Sequence, residues 1–389
     1  MTVKLSARSD LSPFLVMDVM ARAAALEASG ADVMHLEVGQ PSSGAPAPAI
    51  KAVVEALDDP ASHGYTMTLG IDPLREGIAA HYSRVHGLSV SPDNVVVTVG
   101  SSLGFAMAFL NCFDPGDTIA MTNPGYSAYR NLMESVGLRP LMIELRGAEG
   151  WKLRPEHLDA LPEKPAGLII ASPANPTGVV LNAEELAAIT GWCRDNDVRL
   201  ISDEIYHGIA FGVDTPSALA TADDAIIINS FSKYFSMTGH RVGWMIVPDD
   251  LVEPMDRLAQ NAVISVPTLS QIAATAAITD PASIAELESH ISRYGDNLDI
   301  LRNELDPRLL QDVAPVEGAF YLYVRTTAIA EDSVVLADRL LKEAHVATTT
   351  GVDFDTVQGR EYLRLSFAGS TADMKEACRR INAWIAENC

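Results

Sequence analysis

Val95-Val96-Val97-Thr98-Val99-Gly100-Ser101-Ser102 is the stretch on which the fold turns. Five β-branched residues in a row end in a glycine and two serines. That pattern predicts a buried strand, a turn and then a helix over 103–112. The same pattern recurs along the middle of the chain. Apolar runs at 118–122, 141–145, 168–172, 198–202, 225–229 and 242–247 alternate with helical stretches. One of those helices carries its own start signal. Asn182 stands before it, Glu185 follows three residues on, and Leu186, Ile189 and Trp192 form its apolar face. Continuous apolar strands with helices between them predict a largely parallel sheet of seven strands covered on both faces.

The texture differs on either side of this region. Upstream, Ser12-Pro13 reads as the N-cap and first residue of a helix that stops at Gly30. A short strand over 35–38 then runs into Gly39-Gln40-Pro41, and 41–48 reads as an exposed loop. Downstream of about residue 281, a polar helix over 284–305 precedes more widely spaced strands at 319–324 and 362–367 and a final helix. The expected organisation is an N-terminal arm (1–40) joining a small domain, a large α/β domain (41–280) and a smaller α+β domain (281–389). No internal repeat or low-complexity tract interrupts it.

Composition bounds the function. The chain has 389 residues, 48% of them hydrophobic and 20% charged, which is globular rather than disordered composition. Its formal net charge of −23 argues against nucleic acid or an anionic membrane as partner. Cys112, Cys193, Cys378 and Cys389 are too scattered for a disulfide framework or a zinc site and read as free thiols. The N-terminus lacks the apolar run of a signal peptide. The mildly apolar segment 259–278 is broken by Gln260, Asn261, Pro267 and Gln271 and reads as packed helix around a proline break. The expected location is the cytoplasm.

In an open α/β sheet, ligands gather beyond the carboxyl ends of the strands. The polar residues found there are Gly100-Ser101-Ser102, Asn123-Pro124-Gly125-Tyr126, Asn175-Pro176-Thr177-Gly178, Asp203-Glu204-Ile205-Tyr206 and Ser230-Phe231-Ser232-Lys233. Gly100-Ser101-Ser102 opens a helix, whose free N–H groups and two hydroxyls suit an anion; an ordinary Ser-capped turn is the plainer reading. Asp203 ends an apolar strand, where a carboxylate is costly unless it is partnered; a capping Asp is the alternative. Lys233 follows an apolar strand and two serines. Partly desolvated lysines act as nucleophiles and Schiff-base formers, whereas a single lysine is ordinarily a solvated surface residue.

The combination outweighs the parts. Asn175-Pro-Thr-Gly, Asp203-x-x-Tyr206, Ser230-x-Ser-Lys233 and Arg241, in that order and spacing, resemble the class I/II pyridoxal-phosphate aminotransferases of fold type I, aspartate aminotransferase-like. The resemblance runs from Gly39-Gln40-Pro41 through Tyr65-Thr66 and Arg75 to Leu363-Arg364-Leu365-Ser366. It implies a large domain with a seven-stranded, mostly parallel sheet between helices, and a smaller α+β domain. It implies pyridoxal 5'-phosphate as cofactor, with Lys233 as the Schiff-base residue that later shuttles the substrate proton, and Asp203 as partner of the pyridine nitrogen. Asn175 and Tyr206 match the pair on the ring 3-oxygen, and Tyr126 the aromatic stacked on the ring. Ser101, Ser102, Ser230 and Arg241 match the phosphate ligands. Tyr65 resembles a tyrosine that reaches the phosphate of the neighbouring subunit in a homodimer. Arg364 resembles the clamp on the substrate α-carboxylate, approached also by the backbone of Gly39 and by Asn175.

His207 and His240 flank motif residues, but no second ligand type at metal spacing accompanies them, so both read as structural. Met17 and Met20 read as core or as a lip of the substrate entrance. The expected activity is ping-pong transfer of an amino group from an L-amino acid to a 2-oxo acid. A carbon–sulfur β-lyase would use the same Lys, Asp and Arg. A non-catalytic sensor is disfavoured, because only about 30 residues precede the Gly39 strand where a DNA-binding module needs ~60. The helix over 13–29 and residues of a partner subunit are expected to line the side-chain pocket. No second arginine is assignable to a side-chain carboxylate, so aspartate specificity is unsupported, and aspartate/glutamate, aromatic and alanine-type donors all stay open.

Overall fold

The seven apolar runs all become strands of one sheet. The computed structural model describes residues 3–389. Its strands are β1 (Met34–His35), β2 (Val95–Thr98), β3 (Thr118–Asn123), β4 (Arg139–Glu144), β5 (Gly167–Ala171), β6 (Arg199–Asp203), β7 (Ile226–Ser230), β8 (Gly243–Ile246), β9 (Tyr321–Arg325), β10 (Val346–Ala347), β11 (Thr349–Thr350) and β12 (Tyr362–Ser366). Strands β2 to β8 pair in the order β2-β8-β7-β6-β5-β3-β4. Only β8 runs against its neighbours, β2 and β7; the other pairs are parallel.

Alternate residues of each strand serve opposite faces. Val96, Ile119, Ile169, Ile201 and Ile228 pack on one face with helices Gly100–Cys112, Ser127–Val136 and Asp249–Ala262. Val97, Ala120, Leu168, Leu200 and Ile227 pack on the other, in a core that includes helices Ala183–Asp195 and Thr268–Thr279. Because both faces are covered, the central strands β5, β6 and β7 are apolar through their middles, and their polar residues gather toward the strand ends. The parallel strands therefore release Asn123, Asp203 and Ser230 at a single edge. Strand β2 is parallel to β7 through the intervening β8, so it brings Gly100 to that edge as well. Gly243, the first residue of β8, pairs there with both Thr98 and Ser230.

The remaining strands lie apart from this sheet. β11, β12 and β9 form an antiparallel sheet, and β1 pairs in parallel with β10. Helix Pro281–Glu304 packs on both the final helix, Thr371–Asn388, and helix Thr268–Thr279 of the large sheet's core.

Most strand bounds fall within two residues of expectation, and Asn182 and Glu185 do form the reciprocal cap. The segment 259–278 is two helices, parted between Ala262 and Thr268. The strand expected over 35–38 is only Met34–His35. The start of the first helix is a correction. Ser12 does not cap it and Pro13 is not its first residue; the helix spans Leu15–Ala28. The carboxylate of Asp353 accepts instead from the amides of Leu15 (3.1 Å) and Val16 (3.0 Å). An acceptor 338 residues away supplies what a local cap would, so the local sequence carries no signal of it.

Candidate active site

At the edge where the polar strand ends converge, the side chains line a single cavity, closed from above by Gly39, Tyr321 and Arg364. One side of it is an anion cradle. Helix Gly100–Cys112 starts directly after β2, so the amides of Gly100, Ser101 and Ser102 belong to its first turn, where helical acceptors are lacking. The hydroxyl-bearing Ser101 and Ser102 face the cavity, as does Arg241. Arg241 adopts a left-handed backbone (φ 53°) and donates from Nη1 to the Thr238 carbonyl at 3.0 Å. Gly100 is also left-handed (φ +69°), and a Cβ there would stand 2.5 Å from Arg241 Nη2. The glycine thus permits both the turn and the approach of the guanidinium.

Across the cavity floor, Asp203 ends β6 with its side chain buried. Oδ2 accepts from the Tyr129 hydroxyl, and Oδ1 from the Ile205 amide at 3.0 Å. Among the described residues it forms no ion pair, and burial pushes its carboxyl up to about 6. The cationic partner expected from the cost of burial is therefore replaced, within the chain, by a hydroxyl and an amide. Lys233 reaches in from the loop after β7, and its Nζ donates to the Gly39 carbonyl at 2.6 Å. Burial, and then the guanidinium groups of Arg364 and Arg241, lower its ammonium to about 8.

Above the floor, the Tyr206 and Tyr321 hydroxyls share a hydrogen bond at 2.8 Å. Arg364, on β12, is buried. It donates from Nη1 to Asn175 Oδ1 (3.1 Å) and from Nη2 to the Glu37 carbonyl (2.6 Å), while its Nε is buried without a partner. Its guanidinium carbon lies 4.2 Å from the Tyr321 ring centre and 4.5 Å from that of Phe354. Tyr126 stands edge-on to Tyr129 (5.3 Å) and to Phe14 (5.9 Å), and burial raises its hydroxyl to about 12.

The structure thus gathers Gly39, Ser101, Ser102, Tyr126, Asn175, Asp203, Tyr206, Lys233, Arg241 and Arg364 around one space. Two expected residues lie elsewhere. Ser230 is still inside β7, where its hydroxyl is within reach of the Val242 carbonyl (3.1 Å) and of Ser232 Oγ (2.9 Å). Ser232, beyond the strand, is the serine that lines the cavity. Tyr65 is 81% exposed and outside the cavity of its own chain. Sequence reasoning missed Ser232, Tyr129, Tyr321 and Phe14. Tyr129 had a faint signal, being one helical turn beyond Tyr126; Tyr321 is an aromatic in a strand, indistinguishable there from core. His207 and His240 do not line the cavity; His207 Nδ1 lies 3.5 Å from buried Glu204.

A parallel-sheet edge that sets an amine of lowered basicity, a buried carboxylate, an anion cradle and a buried arginine around one cavity has the makeup of an active site suited to small anions. The chain belongs to the family aminotransferase class I and II, whose model matches residues 31–381, and it is an enzyme of the transaminase type. It is 43% identical over 387 residues to a valine–pyruvate aminotransferase of Mycobacterium tuberculosis, covering 99% of each chain. It is 32% identical to an aspartate/prephenate aminotransferase of Thermus thermophilus, covering 95% of each. Among solved structures, an aminotransferase from Mycobacterium tuberculosis matches with a TM-score of 0.95 at 43% identity, over 99% of this chain and 100% of that one. The aspartate aminotransferase of Thermus thermophilus with maleate matches with a TM-score of 0.93 at 31% identity, over the same shares.

Proposed function

We propose that the protein is a pyridoxal-phosphate-dependent aminotransferase that moves the amino group of an L-amino acid to a 2-oxo acid by a ping-pong mechanism. The observation that carries this reading is the placement of Lys233 in one cavity with a buried Asp203 that lacks an ion pair. The residues fit the cofactor. Ser101, Ser102, Ser232 and Arg241 would hold a phosphate, with Ser230 supporting Ser232 from behind. Asp203 would hold a proton on the ring nitrogen. Asn175 engages Arg364 through Oδ1, which leaves its amide N–H groups, with the Tyr206 hydroxyl, to donate to the ring 3-oxygen. Tyr126 would stack on the ring. When bound, pyridoxal phosphate supplies an electron sink for bond breaking at the substrate α-carbon.

The chain's own groups do the rest. Lys233 is the covalent attachment point for the cofactor, and its lowered basicity makes the amine available near neutral pH. Once freed by substrate, its amine would take the proton from the substrate α-carbon and hold it for return. Arg364 presents a buried guanidinium fork to the α-carboxylate, held flat between Tyr321 and Phe354. Gly39, against which Tyr321 leaves no room for a Cβ, lets the backbone approach the same carboxylate.

The reading includes a cytoplasmic homodimer, in which the exposed Tyr65 reaches the neighbouring subunit's phosphate. It also includes the division into an arm (1–40), a large domain (41–280) and a small domain (281–389). The relatives' names range over valine–pyruvate, aspartate, prephenate and a furanylmethyl phosphate, so they leave the donor open. Absorbance tests the reading. The purified, reconstituted protein is expected to be yellow, and an amino-acid donor should convert the aldehyde-form band to the amine form. A colourless protein that responds to no donor would overturn it. Steady release of pyruvate and ammonia from cystathionine without an acceptor would assign a β-lyase instead.

A further inference from the structure

Resting on that reading, the question left open is what side chain the donor carries, and the wall of the cavity opposite the anion cradle bears on it. Three cationic side chains line the cavity among the described residues: Lys233, Arg241 and Arg364. Each already has a task. Lys233 is the covalent anchor, Arg241 completes the phosphate cradle, and Arg364 receives the α-carboxylate. The lining also includes an apolar set, Phe14, Val16 and Met17 at the start of the first helix, and Val38. A second carboxylate placed there would lose water without gaining a cation, whereas an aliphatic side chain would gain from the same burial.

This wall is fixed in place from the far side. Both oxygens of Asp353 accept from the Leu15 and Val16 amides, where the helix begins. The next residue, Phe354, packs on the guanidinium of Arg364. One short segment therefore holds both the side-chain wall and the α-carboxylate clamp, and so sets the distance between them.

We propose that the enzyme takes an amino-acid donor and a 2-oxo-acid acceptor whose side chains are aliphatic and uncharged, the side chain packing against Phe14, Val16 and Met17, with Asp353 as the positioning residue that holds this wall at its distance from Arg364. Aspartate, glutamate and 2-oxoglutarate are poor substrates, because the wall offers their second carboxylate no partner.

Two measurements on the holoenzyme test this. In half-reactions followed by absorbance, valine and leucine should convert the cofactor band with a kcat/KM at least 100-fold above aspartate and glutamate. In calorimetry, isovalerate (an unreactive aliphatic monocarboxylate) should bind, and succinate should bind at least tenfold more weakly. Aspartate or glutamate within tenfold of valine, or succinate binding as well as isovalerate, would overturn the proposal and point to a cation from a neighbouring subunit. If no amino acid converts the band, the underlying aminotransferase reading fails and this one with it.

Two variants sharpen the assignment. Asp353→Ala should raise the KM for valine at least threefold more than that for alanine, which uses the Arg364 clamp but little of the wall, and Asp353→Asn, which keeps one acceptor oxygen, should restore part of the valine KM; equal effects on both donors would remove its positioning role. Met17→Arg, at a side chain 55% exposed that the fold does not depend on, should raise the aspartate-to-valine ratio of kcat/KM at least tenfold. An unchanged ratio would mean that Met17 does not face the donor side chain.

Discussion

Asp203 and Glu204 are adjacent carboxylates at the end of β6, both buried and both with raised pKa values, yet they face opposite sides of the strand end. Asp203 turns into the cavity, with one hydroxyl and one amide as donors. Glu204 turns away from it. There the Ser217 hydroxyl (2.9 Å), the Ala218 amide (2.9 Å), the Ser202 hydroxyl (3.3 Å) and the Tyr82 hydroxyl (3.4 Å) all donate to its carboxylate. Burial raises Asp203 to about 6 and Glu204 to about 7. The difference lies in what each is left to do. Glu204 is saturated by the fold and serves as a buried joint behind the sheet. Asp203 keeps one side toward open space, at a cost that a cationic ligand would offset.

The comparison can be broken by separating activity from stability on the two sides. The largest effect is expected on the cavity side. Lys233→Ala should still retain pyridoxal phosphate through the anion cradle, seen by dialysis and absorbance, but turnover should fall by roughly 10⁴-fold or more. Near-native transamination by that variant would overturn the role given to Lys233. Asp203→Asn should fall by about 10²–10⁴-fold in kcat, since an amide cannot hold a proton on the ring nitrogen by charge.

On the other side the pattern should invert. Glu204→Ala strands four donors and leaves a void, so denaturation should register a loss of about 2–4 kcal/mol while kcat changes by less than about tenfold. A large loss of kcat in a folded Glu204→Ala protein would abolish the contrast. The stability effect of Asp203→Asn should carry the opposite sign. A carboxyl whose folded pKa is raised gives stability that is present below about pH 4 and is lost as pH rises through about 6. In the cofactor-free protein, Asp203→Asn should therefore be more stable than the parent at pH 8, by roughly 1–3 kcal/mol, and equal to it near pH 3.5. Parallel unfolding curves at both pH values would show that Asp203 carries no such cost.

The smallest expected effect is a shift along the pH axis. The rate at which the cofactor-free protein captures pyridoxal phosphate covalently should rise with pH, reach half its plateau near 8, where half of the Lys233 amine is neutral, and level off above that. Ordinary lysines titrate near 10.4. A profile still climbing through pH 10 would place Lys233 in water.

How much of this was legible without coordinates differs from element to element. The seven strands were, because a strand covered on both faces must be apolar throughout, and 168–172 or 225–229 can hardly be read otherwise. Lys233, Asp203 and Arg241 were legible only as a set; each alone has a plainer explanation. Ser232 was passed over for Ser230, since both are serines near one strand end and nothing local says which hydroxyl the neighbouring strand occupies. Asp353 was invisible, because its role is a contact across 338 residues.

By itself, then, the sequence determined the sheet, the edge at which polar residues collect, and the set of chemical groups available there. These follow from short-range rules: hydrophobic period, turn residues and the spacing of a few motifs. The tertiary structure decided what partners Asp203 and Glu204 each receive, which of Ser230 and Ser232 lines the cavity, and what ties down the start of the first helix. Those outcomes depend on burial and on partners far away in the chain, where the free energy of a side chain is set by its surroundings rather than by its own chemistry.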